Sequence, residues 1–240
     1  INCLHKNKDR PKSKNNDNMI KIIFPVEFCI NCRTMVKIIS DQFKLTSNQS
    51  NQFERIESIY RNWNEKINVI SRKDMDAFYT HHILHSLAIA KLISLKPGTS
   101  VLDVGTGGGF PGIPLAIFFP EVRFYLVDPI GKKITVVNEV VKGIGLTNVS
   151  AEKNRAEDLN MKVDFVVSRA VAPIKDIVHW TSKLIKKGGN NDLQNGWILL
   201  KGGDLAQEIK DSGRSADEFE ISNWFKDEFF ETKKIVYITY

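Results

Sequence analysis

The sequence predicts an α/β fold of the Rossmann-like kind: a mostly parallel, twisted sheet with helices on both faces, preceded by two N-terminal helices. Three observations lead there. An apolar, β-branched run from Val101 to Val104 leads straight into a glycine-rich turn holding Gly105, Gly107, Gly108, Gly109 and Gly112, and then into a helical pattern. Downstream, short apolar runs alternate with stretches of helical period, as repeated strand–helix–strand units require. Upstream, two amphipathic stretches precede the first strand.

From Ser47 to Ile67, the residues Phe53, Ile56, Ile59, Tyr60, Trp63 and Ile67 recur at threes and fours, with Ser47 or Ser50 placed to cap the helix. A second helix is expected over Asp74 to Ser94, striped by Met75, Phe78, Tyr79, Ile83, Leu87 and Leu92 and stopped at Lys96-Pro97-Gly98. After the first strand and the glycine turn, Pro111 or Pro114 suits the opening turn of a helix, where a missing N–H costs nothing. The alternation continues with a strand over Arg123–Asp128 and a helix over Lys132–Ile144 bearing Ile134, Val137, Val141 and Ile144 on one face. Strands at Val149–Ala151 and Phe165–Ser168, a helix near Ile174–Ile185 and a strand at Trp197–Leu200 follow. The run from Lys186 to Asn195 is rich in Gly and Asn and reads as a loop; Asp204–Ser212 suits a further helix and Lys234–Tyr240 a last strand.

A chain of 240 residues with 42% hydrophobic content supports one well-buried domain plus an appendage. No run of 18 apolar residues is present, so no membrane-spanning segment is expected. The net charge of +6 invites a nucleic-acid reading, but residues 1–34 hold seven Lys/Arg against three Asp/Glu, leaving 27 of the 34 cations against 25 of the 28 anions beyond them. The excess thus lies mostly outside the folded body and says little about RNA. All three cysteines, Cys3, Cys29 and Cys32, sit in the same leading segment. Cys29 and Cys32 have the spacing of half a zinc site or a redox pair, but no second pair or His partner follows at suitable spacing, so no metal is expected. A cysteine-free body suits a reducing cytoplasm. Residues 1–34 read as a disordered or extraneous extension without the order of a signal peptide, and Met35 as the natural start. A helical region over 35–96 and a cofactor-binding domain over 97–240 complete the expected organisation.

Gly107-x-Gly109-x-x-Gly112 matches a dinucleotide fingerprint, with Asp128 at a suitable distance for a ribose-binding acid, but a lone match is a weak signal. Asp103, inside the strand end, favours S-adenosylmethionine: its carboxylate could meet the methionine ammonium, whereas pyrophosphate would gain nothing from an acid there. Asp128 ends the second strand, and Pro129 after it favours extended geometry, from which the carboxylate can face two ribose hydroxyls. The competing reading of each acid is a cap or a solvated strand end. Arg155-Ala156-Glu157 follows the third strand, where backbone groups could read an adenine edge; spacing alone equally suits a solvated turn.

Five motifs in register extend these readings: Trp63-Asn64-Glu65-Lys66-Ile67-Asn68, His82-Ile83-Leu84-His85-Ser86, the stretch Asp103 to Pro114, Ser168-Arg169-Ala170 and Leu200-Lys201-Gly202. With them the chain, from roughly Gln52 to Tyr240, resembles the bacterial 16S rRNA methyltransferases of the glucose-inhibited division protein B family. The resemblance implies a class I methyltransferase fold and methyl transfer from S-adenosylmethionine to N7 of a guanine in a 16S rRNA loop, the guanine 527 type of site. It further implies that Gly105 and Phe110 line the cofactor, that the Ala156-Glu157 backbone meets adenine and that Arg169 stands at the active cleft. His82, Arg155 and Lys201 match other polar positions of the cofactor or RNA site. His85 stands where many relatives carry Asp, and Pro129 where Ser is common.

Guanine N7 already presents a lone pair, so no general base is needed, and alignment can supply about 7–11 kcal/mol in favourable systems. His82 is therefore given no proton to move; it either hydrogen-bonds a ligand or packs the leading helices onto the sheet. Arg169 and Lys201, after two adjacent strands, are expected to hold phosphate or the cofactor carboxylate, since an unpartnered buried guanidinium is costly. N7 lies in the deep groove of A-form RNA, so the target must be unpaired; Phe110 or Trp180 is a candidate to stack on it, although Trp180 also fits a core stripe. The expected partner is 16S rRNA in the 30S subunit or an assembly intermediate, with the enzyme a monomer and naked RNA a poor substrate. A methyltransferase for small molecules or proteins, a non-catalytic 30S assembly factor and a nicotinamide dehydrogenase are the competing functions.

Overall fold

The computed structural model describes residues 36–240. Met35, the three cysteines and the rest of the leading extension lie outside the described residues. Among the described residues, seven strands form one sheet in the order β3-β2-β1-β4-β5-β7-β6. They are β1 (Ser100–Val104), β2 (Arg123–Asp128), β3 (Val149–Lys153), β4 (Phe165–Arg169), β5 (Gly196–Gly202), β6 (Asp217–Glu220) and β7 (Lys233–Thr239). The first five are parallel, and β7 runs antiparallel to both β5 and β6. The chain starts mid-sheet at β1, winds outward to β3 and returns to β4 on the other side. A crevice therefore opens at the carboxyl ends of β1 and β4, where such sheets bind ligands.

Side-chain alternation sorts the strands onto two faces. Val101, Phe124, Leu126, Phe165, Val167, Ile198, Leu200 and Ile235 join one hydrophobic core, Leu102, Val104, Val166, Trp197, Leu199 and Val236 the other. The first core also holds the leading helices, so residues from Val36 to Leu95 share one packed interior with the sheet.

Helix α1 (Ser47–Asn64) is capped by Thr46, neither by Ser47 nor by Ser50: Thr46 Oγ1 accepts from the Gln49 N–H while Gln49 Oε1 accepts from the Thr46 N–H, a reciprocal box. Its buried face carries Phe53, Ile56 and Tyr60, as the periodicity predicts. Two buried glutamines dock it on the sheet helices. Gln49 Nε2 donates to the Ile117 and Phe118 carbonyls at the end of a helix over Gly112–Phe118, and Gln52 Nε2 to the Ile144 carbonyl at the end of another over Gly131–Ile144. Both supply helix-end carbonyls with the donors they would otherwise lack.

The expected single helix over 74–94 is broken. Helix α2 (Arg72–Asp76) stops at Ala77, a π-helical turn spans Tyr79–Leu84, and α3 (His85–Leu87) and α4 (Ile89–Leu92) follow. The α-helices after β1 are α5 (Gly112–Phe118), α6 (Gly131–Ile144), α7 (Ile174–Thr181) and α8 (Ala206–Ser212). Pro111 precedes α5 and Pro114 sits in its first turn, so both prolines stand where no N–H is needed. The strand that patterning missed is β6, whose residues Asp217-Glu218-Phe219-Glu220 lack an apolar run; it is a short, charged edge strand.

Candidate active site

The glycine turn is held open by its own carboxylates. Asp128, at the end of β2, accepts from the Gly107 N–H at 3.0 Å through Oδ2 and from the Ile130 N–H at 2.8 Å through Oδ1, with Lys133 Nζ 3.6 Å away. Each oxygen keeps acceptor capacity beyond these bonds. Gly105 and Gly107 have φ of 64° and 58°, which side-chain-bearing residues rarely adopt. A Cβ on Gly105 would also lie 2.6 Å from Val171, so Val171 from the loop after β4 packs directly on its bare face.

Asp103 is fully buried. Its Oδ2 accepts from Thr106 Oγ1 at 2.6 Å and from the Gly112 N–H at 2.9 Å, while Oδ1 has no hydrogen-bond partner among the described residues. Burial pushes this carboxyl up to about 7, partly offset by the two hydrogen bonds and the Arg169 charge. The same geometry argues against a pyrophosphate. The first N–H of α5, which the dinucleotide motif would aim at phosphate, is spent on a carboxylate.

Alternation decides where the two predicted cations go. Arg169 shares the face of Phe165 and Val167 and turns toward the leading helices; Lys201 shares the face of Trp197 and Leu199 and turns to the other side. Each already has protein partners, which any role in holding phosphate or the cofactor carboxylate would have to share. Arg169 donates to the His81 carbonyl at 3.0 Å and to His82 Nδ1 at 2.9 Å, with its guanidinium 5.0 Å from the centre of the Phe110 ring. Burial lowers it to about 10, countered by the nearby Asp103 and Tyr60. Lys201 Nζ donates to the Ala172 carbonyl at 2.6 Å and to Glu208 Oε1 at 2.5 Å.

His82 is buried in the π-helical turn. Since Nδ1 accepts from a guanidinium, the ring's proton sits on Nε2, which has no partner among the described residues. Burial, reinforced by the Arg169 charge, pushes its pKa down to about 3. His85, one turn on, is buried against Phe229 and Phe230 and held well below the usual range, chiefly by burial.

Phe110 is 3% exposed and packs on Tyr60, Phe78 and His82. That removes it as a platform for an incoming base. Trp180 is half-buried and lines a cavity of about 250 Å³ with Val104, Gly105, Val127, Ala156 and Val171. Asn154, Arg155 and Glu157 complete its rim; the Arg155 side chain is exposed, 3.6 Å from Glu157. The expected adenine-side residues thus converge beside Gly105, whereas His82 and Phe110 lie behind the turn.

Sequence reasoning missed three contributors. Tyr60, read only as core, donates to the Gly108 carbonyl at 2.5 Å and so braces the glycine turn from α1. Asn64 accepts from the Val69 and Ile70 N–H groups and donates to the Ile70 carbonyl, folding the chain so that Val69 packs beneath Gly108. Glu208, on α8, received no role.

The GidB family model, described as rRNA small subunit methyltransferase G, matches residues 49–233. Curated proteins named ribosomal RNA small subunit methyltransferase G are similar over most of the chain. One from Flavobacterium johnsoniae is 58% identical over 194 residues, 81% of this chain and 92% of that protein. Another, from Flavobacterium psychrophilum, is 55% identical over 204 residues, 85% and 97% respectively. Among solved structures, a SAM-dependent methyltransferase from Aquifex aeolicus superposes with a TM-score of 0.51 at 17% identity, covering 70% of this chain and 98% of that one, a likeness of fold alone.

Proposed function

The chain belongs to the GidB family, the S-adenosylmethionine-dependent methyltransferases of small-subunit rRNA, and we propose that the atom it methylates is N7 of an unpaired guanine in 16S rRNA, of the guanine 527 type. The observation that carries this reading is the state of His82. Buried and bonded to Arg169, it is no proton acceptor at neutral pH. Methylation of a guanine N1, an exocyclic amine or a ribose hydroxyl releases a proton and calls for a base. N7 brings a free lone pair: the new N–C bond forms as the carbon–sulfur bond breaks, the bonding pair stays on sulfur, and no proton moves.

The residues present suit the cofactor. S-adenosylmethionine, when bound, supplies a methyl group activated by the sulfonium. Asp103 offers its unpartnered Oδ1 to an ammonium, Asp128 its remaining lone pairs to ribose hydroxyls, and the cavity beside Gly105 with Ala156, Glu157 and Trp180 an apolar slot for adenine. Gly107 and Gly109 let the backbone turn beneath it. Arg169 and His82 are positioning residues that fix the π-helical turn against the end of β4. Lys201 fixes the loop after β4, and Arg155, exposed beside Glu157 at the cavity rim, is placed to meet RNA. The enzyme is read as a cytoplasmic monomer acting on the 30S subunit or an assembly intermediate.

The test is methyl transfer from labelled S-adenosylmethionine to 30S particles, followed by digestion and mass mapping of the 16S rRNA. A single 7-methylguanosine in a loop is the expected product. Methyl on any other atom, or unmodified rRNA, refutes the assignment.

A further inference from the structure

A second cavity, of about 630 Å³, lies at the carboxyl ends of β4 and β5, between the loop after β4 and α8. It shares Val171 as a common wall with the smaller cavity beside Gly105. A base seated in it would therefore present one edge toward the methyl donor and the opposite edge toward α8. Its lining carries Lys175 and Lys201 against three carboxylates, Asp204, Glu208 and Asp211. Lys201 is neutralised by Glu208. Such a wall repels phosphate and favours a ligand face made of hydrogen-bond donors.

One carboxylate is set apart by how it is held. Asp204 Oδ1 accepts from the Ala206 N–H and Asp211 Oδ1 from Gln207 Nε2, both contacts within α8 and its approach. Glu208 reaches across instead. Its Oε1 accepts from the Ile174 N–H at 2.8 Å and from Lys201 Nζ at 2.5 Å, which uses both lone pairs of that oxygen and locks the side chain between α8, α7 and β5. Oε2 makes no hydrogen bond among the described residues.

We propose that this cavity receives the acceptor guanine and that Glu208 Oε2 reads its N1–H and N2–H₂ donors. The inference rests on the guanine-N7 reading above. Guanine alone among the four RNA bases presents two adjacent donors on that edge, and its N7 lies across the purine from them. A carboxylate there does more than select. As N7 gains the methyl group, the purine acquires a positive charge, which a fixed anion on the N1 side stabilises in the transition state. Lys201, which on O6 would withdraw electrons from N7, is kept off the base by the same carboxylate.

The experiment compares 30S particles reconstituted with 16S rRNA carrying either guanosine or inosine, which lacks N2–H₂, at the mapped position. The wild-type enzyme is expected to lose about 10–100-fold in kcat/KM on inosine, the range for a hydrogen bond to a charged group. Glu208→Gln keeps an oxygen for Ile174 and Lys201 but carries no charge; it should lower kcat on guanosine by about 10–100-fold. Its guanosine-to-inosine ratio should fall to within about threefold of unity, with S-adenosylmethionine affinity by calorimetry unchanged. A wild-type ratio near unity overturns the proposal without any variant, as does a Glu208→Gln enzyme that keeps the wild-type rate or ratio. Failure of wild-type protein to methylate guanosine particles at N7 strikes the functional reading instead, so the two failures are distinct.

Discussion

Asp103 holds a carboxyl group away from water with one oxygen unpartnered, an arrangement that costs stability unless a ligand supplies a donor. Because its folded pKa of about 7 lies above the unfolded value, the native chain keeps a proton that the unfolded chain releases between about pH 4 and 7. Stability from this group therefore falls as pH rises through that window. Asp103→Asn should melt no lower than wild type at pH 8, with any advantage fading toward pH 4, while S-adenosylmethionine affinity drops at least about tenfold. Thermal melts across pH and calorimetry check both; a variant that binds the cofactor normally removes Asp103 from the site. Arg169 poses the opposite case, a half-buried cation with good partners. Arg169→Ala strands His82 Nδ1 and the His81 carbonyl, and should cost about 2–4 kcal/mol in denaturant unfolding together with at least a tenfold loss of methyl transfer. Arg169→Lys should not rescue it, since one ammonium cannot span the carbonyl and the ring as the planar fork does. Unchanged stability and activity in the alanine variant would show that the bridge is idle.

The π-helical turn over Tyr79–Leu84 is the element on which the site's rear wall depends. Its wider turn places the His81 carbonyl and the His82 ring together against Arg169, and it brings His81 into a stack on Phe229 at 3.9 Å. Helical periodicity in 74–94 could show that the segment was helical and apolar, but not that a guanidinium from β4 would claim one of its carbonyls. The turn also sets an acid limit. His82 and His85 stay neutral in the folded chain and take up protons once unfolded, so stability contributed by their neutral state falls as pH drops below about 6.5. Asp103 has the contrary sign between pH 4 and 6.5 but counts once against two. Net stability should therefore decline on acidification through that window, and His85→Phe, which fits among Phe229 and Phe230, should flatten the decline. Urea titrations at pH 5 and 7.5 give the slope, and identical slopes in variant and wild type would dismiss the histidine account.

For the molecule as a whole, the folded body carries little net charge once residues 1–34 are set aside. Tight, salt-driven binding to bare RNA is therefore not expected, and transfer to naked 16S rRNA should run at least about tenfold slower than transfer to 30S particles at 0.15 M salt. Equal rates would place recognition in the RNA alone. The strands other than β6, the glycine turn, α1 and the helices around the sheet were legible because their signals are local: apolar period, turn chemistry and the placement of proline and glycine. Asp103 and Asp128 were legible for the same reason, since a strand end followed by a turn defines where a side chain can point. That Arg169 and Lys201 face opposite sides of the sheet was also legible, since alternation against Phe165, Val167, Trp197 and Leu199 separates them by face. The break in the second helix, the bracing of Gly108 by Tyr60 and the span of Glu208 from α8 to Ile174 and Lys201 had no local signal. Local patterning by itself determined the α/β architecture, the glycine turn and the acids at the ends of the first two strands, because backbone sterics and periodicity act over a few neighbouring residues. Only the tertiary structure decided which charges are already paired and which oxygens remain free for a ligand, because partners such as Ala172 for Lys201, Ile174 for Glu208 and His81 for Arg169 lie 29, 34 and 88 residues away in the chain and meet only when the sheet and helices close around them.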